Sequence, residues 1–207
     1  LGGKIIRIHA VDIHRNLTLL KVSTNRKLPE VLRREMAYLV FDQQIPQGFV
    51  HYLLLEKYRK FVEMLPFGAD YSILPDDYSY IGEGDIIRLS TDRQSISVLF
   101  RASSPHNSVL VTEQCNHYCL MCSHPPKTAD DSWLLDEIEA MIPLIPKETQ
   151  ELGFTGGEPT TNRERFLKIL SLTKSYLPRT AIHILSNGRS FKDPVFTEKY
   201  ARIELSD

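Results

Sequence analysis

Cysteine is nearly absent from this chain: three occur among 207 residues, and all three lie between Cys115 and Cys122. An odd, clustered set argues against a disulfide framework and for metal ligation. Long apolar runs are also missing. The hydrophobic stretches are strand-sized, such as Tyr52–Leu55 and Val109–Val111, far below the roughly 20 residues that a bilayer span requires. The start, Leu1-Gly2-Gly3-Lys4, has neither an initiator methionine nor the apolar core of a secretory signal, which suits a trimmed chain. Charge of one sign is not in excess, because 25 Lys and Arg are mixed with 26 Asp and Glu along the chain. No nucleic-acid or membrane surface is therefore expected. What remains, 42% hydrophobic and 25% charged residues, suits one or two globular domains with an ordinary core in a reduced, cytoplasmic setting.

The chain changes rhythm near its middle. Ile5–Ile8 and Leu17–Val22 are runs of branched apolar residues divided by polar breaks, and Leu28–Met36 has the length of a short helix. Ile86–Leu89 and Ser95–Arg101, separated by Thr91–Gln94, predict a hairpin. Residues 1–107 are thus expected to form a strand-rich α+β accessory module, ending in the turn residues Ser103–Asn107. Residues 108–207 read instead as strand (Val109–Thr112), helix (Ser132–Ile142), strand (Leu152–Thr155), helix (Arg163–Tyr176) and strand (Ile182–Ser186). Repeated strand-helix units predict a parallel sheet with active groups on the loops after the strands. Asn162 is placed to cap the second helix, and Pro178 to end it.

Three motifs follow those three strands. Cys115-Asn116-His117-Tyr118-Cys119-Leu120-Met121-Cys122 puts three thiolates on one tight loop, enough for three corners of a cubane iron-sulfur cluster. Ordinary electron-transfer clusters take four cysteines, so a missing fourth leaves one iron open to chemistry. Thr155-Gly156-Gly157-Glu158-Pro159 offers close backbone approach and a carboxylate able to pair with an amine. Ser186-Asn187-Gly188 supplies a hydroxyl and an amide that suit ribose oxygens. Blander readings stand beside these. The three cysteines with His117 or His124 could make a structural zinc site, the glycines could be turn residues, Glu158 could be a solvated loop carboxylate, and Ser-Asn-Gly is an ordinary turn signal. The remaining histidines (His9, His14, His51, His106, His183) show no partner pattern, and Tyr52, Tyr58, Tyr71, Tyr78 and Tyr80 read as packing residues rather than a peptide-docking surface.

In order and spacing the three motifs resemble the radical S-adenosylmethionine (SAM) superfamily, and Thr112–Lys127 looks closest to the radical SAM maturase of the His-Xaa-Ser repeat peptide system. The resemblance implies the first half of a partial (β/α)6 barrel. It implies that Cys115, Cys119 and Cys122 hold a 4Fe-4S cluster, that SAM chelates the open iron, and that one electron cleaves SAM to a 5′-deoxyadenosyl radical. By the same resemblance, Glu158 and the Gly156-Gly157 backbone contact the SAM amino group, and Ser186 and Asn187 contact its ribose. Met121 stands where many relatives carry an aromatic residue near adenine, and its adaptable thioether suits the same packing. The implied function is modification of a peptide precursor by hydrogen abstraction. The implied partners are that peptide, a one-electron donor such as flavodoxin or ferredoxin, and a second maturase. A radical SAM enzyme acting on a small metabolite, or a noncatalytic metal-binding scaffold, are the alternatives. With only three strand-helix units readable before Asp207, the chain is expected to be a C-terminally truncated fragment that by itself cleaves SAM poorly or not at all. Ile203–Asp207 is expected to open a fourth strand, with Ser206 as a further ribose contact.

Overall fold

A computed structural model describes residues 17–90, 95–122 and 125–205. The Ile5–Ile8 strand, the Thr91–Gln94 turn, His124 and Ser206 fall outside the described residues. The chain divides into two compact units, Leu1–Ser103 and Ser104–Asp207.

The first unit is built on a six-stranded sheet. Its strands are β1 (Leu17–Ser23), β2 (Met36–Val40), β3 (His51–Leu55), β4 (Tyr71–Leu74), β5 (Ile86–Ser90) and β6 (Ser95–Phe100), in the order β4-β3-β2-β1-β5-β6. β5 and β6 form the expected antiparallel hairpin, with Ile87 opposite Val98 and Leu89 opposite Ile96. The pairs β1-β2, β2-β3 and β3-β4 are parallel, which makes this a mixed sheet. Strand direction was not legible because hydrophobic patterning reports which faces are buried, not how neighbours run. All five residues of β3 are buried. Leu53 and Leu55 join Val22, Ala37, Leu39 and Ile87 on one face, while Tyr52 and Leu54 join Tyr38, Val40 and Phe49 on the other. The helix expected over Leu28–Met36 shrinks to one turn, α1 (Glu30–Arg33), which buries nothing. Val31 and Leu32 face solvent there, so no packing supports a longer helix, and Met36 already belongs to β2. Tyr52 is a core residue, whereas Tyr71 and Tyr80 are exposed.

In the second unit β7 (Asn107–Thr112), β8 (Glu151–Gly156) and β9 (Ala181–Ile184) form a parallel sheet in that order. Helices α2 (Trp133–Met141) and α3 (Arg163–Tyr176) connect them. The Asn162 side chain accepts the Arg165 N–H at 3.2 Å and caps α3 as expected. Phe166, Ile169, Leu170 and Thr173 are its buried face. Arg165 ties the two helices by donating to Asp136 (2.6 Å) and Glu139 (2.8 Å). Along β7 and β8, Val109, Val111, Leu152 and Phe154 are buried, whereas Leu110 is exposed on the opposite side.

Two expectations fail here. β9 ends at Ile184 rather than Ser186, because Ser186 turns away to bond the neighbouring loop. Residues 203–205 are not strand; they follow a further helix, α4 (Pro194–Ala201). That helix begins with a proline at its first turn and with Asp193 accepting the Val195 N–H at 2.9 Å, a start signal that its brevity obscured.

Candidate active site

The cysteine segment leaves the carboxyl end of β7, and its neck is tied shut. The buried Thr112 hydroxyl donates to the Asp131 carboxylate at 3.0 Å and accepts the Gln114 N–H at 3.0 Å. Farther round, the Lys127 N–H meets the Glu113 carbonyl at 3.1 Å and the Gln114 amide meets the Ala129 carbonyl at 2.8 Å. These bonds anchor both ends of the loop beside the start of α2. Beyond the neck, Cys115 is half-buried, while Cys119 and Cys122 are exposed. The Cys122 N–H donates to the Cys119 carbonyl at 3.0 Å, folding the last two thiols into a tight turn. Tyr118, Leu120 and Met121 all face solvent, Met121 at 90% exposure.

The glycine loop lies directly against this neck. The Gly157 N–H donates to the Thr112 carbonyl at 2.8 Å and the Glu158 N–H to the Gln114 carbonyl at 2.9 Å, extending the β7-β8 ladder past the strands. A Cβ on Gly156, whose φ is +141°, would lie 2.2 Å from the Thr112 carbonyl oxygen. A Cβ on Gly157 would lie 2.1 Å from the Gln114 oxygen and 3.1 Å from the Cys115 Cβ. Both glycines are thus required by the approach of the chain to itself, and the missing side chain of Gly157 leaves room for Cys115 beside it.

Glu158 is 0% exposed, so the solvated-carboxylate reading fails. Its Oε1 accepts from the Thr160 N–H (3.0 Å), the Thr160 hydroxyl (2.6 Å) and the Ser186 hydroxyl (2.9 Å), and its Oε2 accepts the Asn187 N–H (2.7 Å). Burial alone pushes this carboxyl upward, but the bonds from Thr160, Asn187 and Ser186 together hold it below the ordinary value of 4.5. In this conformation its reach is inward, to the loop after β9. A hydroxyl pair, Thr160 with Ser190 at 2.7 Å, extends the buried network.

That third loop closes the rim. The Ser186 hydroxyl accepts the Gly188 N–H at 3.0 Å, and Gly188 takes a left-handed φ of +73°. The Asn187 amide donates to Asn116 Oδ1 at 2.9 Å, and the Arg189 guanidinium donates to His117 Nδ1 at 3.3 Å. Cys115, Cys119, Met121, Cys122, Gly156, Gly157, Glu158, Ser186 and Asn187 therefore lie at one end of one sheet. Asn116, Asp131, Thr160, Ser190 and Arg189 carry no local signal of their part in it, because their partners are distant in sequence. Near the other end, Glu151 meets His106 at 3.1 Å and His183 at 3.5 Å, a grouping that sequence spacing does not reveal.

Among the described residues, no three His, Cys, Asp or Glu side chains are gathered as a metal site. The donor chemistry nonetheless suits an iron-sulfur cluster: three thiols on one loop, two of them exposed, with soft sulfur ligands favoured by iron and sulfide. His117, one of two imidazoles able to complete a zinc set, is engaged by Arg189. No helix among the described residues is long and apolar enough to cross a membrane. No curated protein and no solved structure matches this chain. The rim lies within residues 109–204, and that stretch matches the family model of the Radical SAM superfamily.

Proposed function

We propose that Cys115, Cys119 and Cys122 hold a 4Fe-4S cluster and that the surrounding rim binds SAM for radical chemistry on a peptide precursor. The observation that carries this reading is the joining of the three-cysteine, glycine and Ser-Asn-Gly loops by hydrogen bonds at the carboxyl end of a parallel sheet, within the stretch that matches the superfamily. A cluster held by these three cysteines would supply one-electron reduction of bound SAM, and so a radical for hydrogen abstraction from the substrate.

The chain's own residues prepare that site. Gly156 and Gly157 bring the backbone after β8 against the cysteine loop and present their peptide groups to the amino end of SAM. Glu158 holds this loop and the Ser186-Asn187 turn at a fixed separation. Ser186 and Asn187 form the ribose side of the rim, and Met121, exposed on the cysteine loop, covers adenine. A peptide substrate follows from the likeness of Thr112–Lys127 to the His-Xaa-Ser maturase, with the first unit as the surface that receives it.

Anaerobic reconstitution of the 207-residue chain with iron and sulfide tests the reading. Brown protein containing both, with a reduced-state paramagnetic resonance signal that changes on adding SAM, is the expected result. Colourless protein carrying one zinc defeats it. Crosslinking to a His-Xaa-Ser repeat peptide tests the substrate, and SAM-responsive protein that ignores the peptide would favour a small metabolite.

A further inference from the structure

Asn187 is held at two points by its own side of the rim. Its N–H is taken by Glu158 Oε2 at 2.7 Å, and its Oδ1 accepts the Arg189 N–H at 3.0 Å. The remaining group, the side-chain NH2, donates at 2.9 Å to Asn116, 71 residues earlier and adjacent to Cys115. We propose that Asn187 is a positioning residue for the cysteine loop: through Asn116 it fixes where Cys115 stands before any metal or sulfide arrives, and Glu158 is the anchor that fixes Asn187. The significance of this clamp rests on the reading of the loop as a cluster ligand set.

The physical need is clear from the loop's construction. Asp131 and the glycine loop tie its neck, but Tyr118, Leu120 and Met121 are exposed and give the outer part no packing. The outer part is fastened to the β9 side by Asn116 to Asn187 and by His117 to Arg189. Ordering a loop costs conformational entropy, and a ligand set ordered beforehand does not meet that cost at the moment of binding. The Asn187 side chain is therefore spent on the protein's own loop.

The test uses the metal-free 207-residue chain, with Asn187 left intact so that the Glu158 network is undisturbed. A brief iodoacetamide pulse labels the thiols, and mass spectrometry gives the ratio of Cys115 to Cys119 modification, the exposed Cys119 serving as internal reference. Asn116→Ala should raise this ratio roughly fivefold, the factor set by losing one neutral hydrogen bond. Asn116→Asp should leave it near wild type, because a carboxylate oxygen still accepts from Asn187. An unchanged ratio in Asn116→Ala, or an equal rise in Asn116→Asp, overturns the proposal. Wild-type chain that takes up no iron and sulfide defeats the cluster reading separately, and the labelling ratio still decides the clamp.

Discussion

Gly157→Ala is the most demanding perturbation of this rim, because it adds one methyl group where the structure has no room. The new Cβ would lie 2.1 Å from the Gln114 carbonyl oxygen and 2.7 Å from its carbon. Both are backbone atoms and cannot swing aside. Relief requires separating the glycine loop from the cysteine neck, which breaks the 2.8 Å bond to Thr112 and the 2.9 Å bond to Gln114. Each neutral bond has a net worth of about 1 kcal/mol, and overpacking a tight contact costs about 1–3 kcal/mol. With partial relaxation the second unit should lose roughly 3 kcal/mol, a large share of the ~5–15 kcal/mol of an ordinary domain. Trp133 is the chain's one tryptophan and lies in the second unit, so its fluorescence in a urea titration reports that unit alone. With a slope of about 1.5 kcal/mol/M the midpoint should fall by about 2 M. Gly188→Ala is the control. Its φ is +73° but nothing lies within 4 Å of the added Cβ, so only the left-handed penalty of about 1 kcal/mol applies, partly offset by a less flexible unfolded chain. Equal midpoints for the two variants would refute the steric reasoning.

Other perturbations separate the remaining parts. Glu158→Gln turns an NH2 toward either the Asn187 N–H or the Thr160 and Ser186 donors, and should destabilise the second unit by about 2 kcal/mol, measured by the same Trp133 titration. Because the folded carboxyl titrates below 4.5, its stabilisation is complete above that pH and is lost as pH falls through the depressed folded value; Glu158→Gln should lack this acid slope, and an unchanged slope would remove Glu158 as its source. In the first unit, His51 is buried with Ser72 Oγ at 2.9 Å, and desolvation lowers its pKa from 6.5 to about 4. Between those values the unfolded chain binds a proton that the folded chain refuses, so stability should fall by up to about 3 kcal/mol from pH 7 to pH 4. Hydrogen exchange of residues 51–55 in urea checks this, with His51→Gln expected to flatten the profile. Cys119→Ser should abolish cluster uptake, read as iron and sulfide content; undiminished uptake would remove Cys119 from the ligand set. Met121→Ala should leave stability within about 0.5 kcal/mol, as expected for an exposed side chain, while lowering SAM affinity; unchanged affinity would take Met121 out of the site.

The features legible in the sequence are those written within a few residues of one another. The cysteine spacing raises the expectation of metal ligation, Asn162 and the apolar face from Phe166 to Thr173 define α3, and the 86–100 hairpin follows from its two apolar runs. Each depends on local periodicity or on thiols carried by one loop, so no partner from elsewhere is needed to recognise it. The tertiary structure decided the rest. It turned Glu158 inward onto Ser186 and Asn187, 28 and 29 residues away, and joined Asn187 to Asn116 across 71. It also set the parallel pairing of β1 to β4 and pressed Gly157 against Gln114. A sequence shows which groups can bond and where the chain can bend; which of them meet depends on how separate strands are laid side by side, and that order is set by burial over the whole unit.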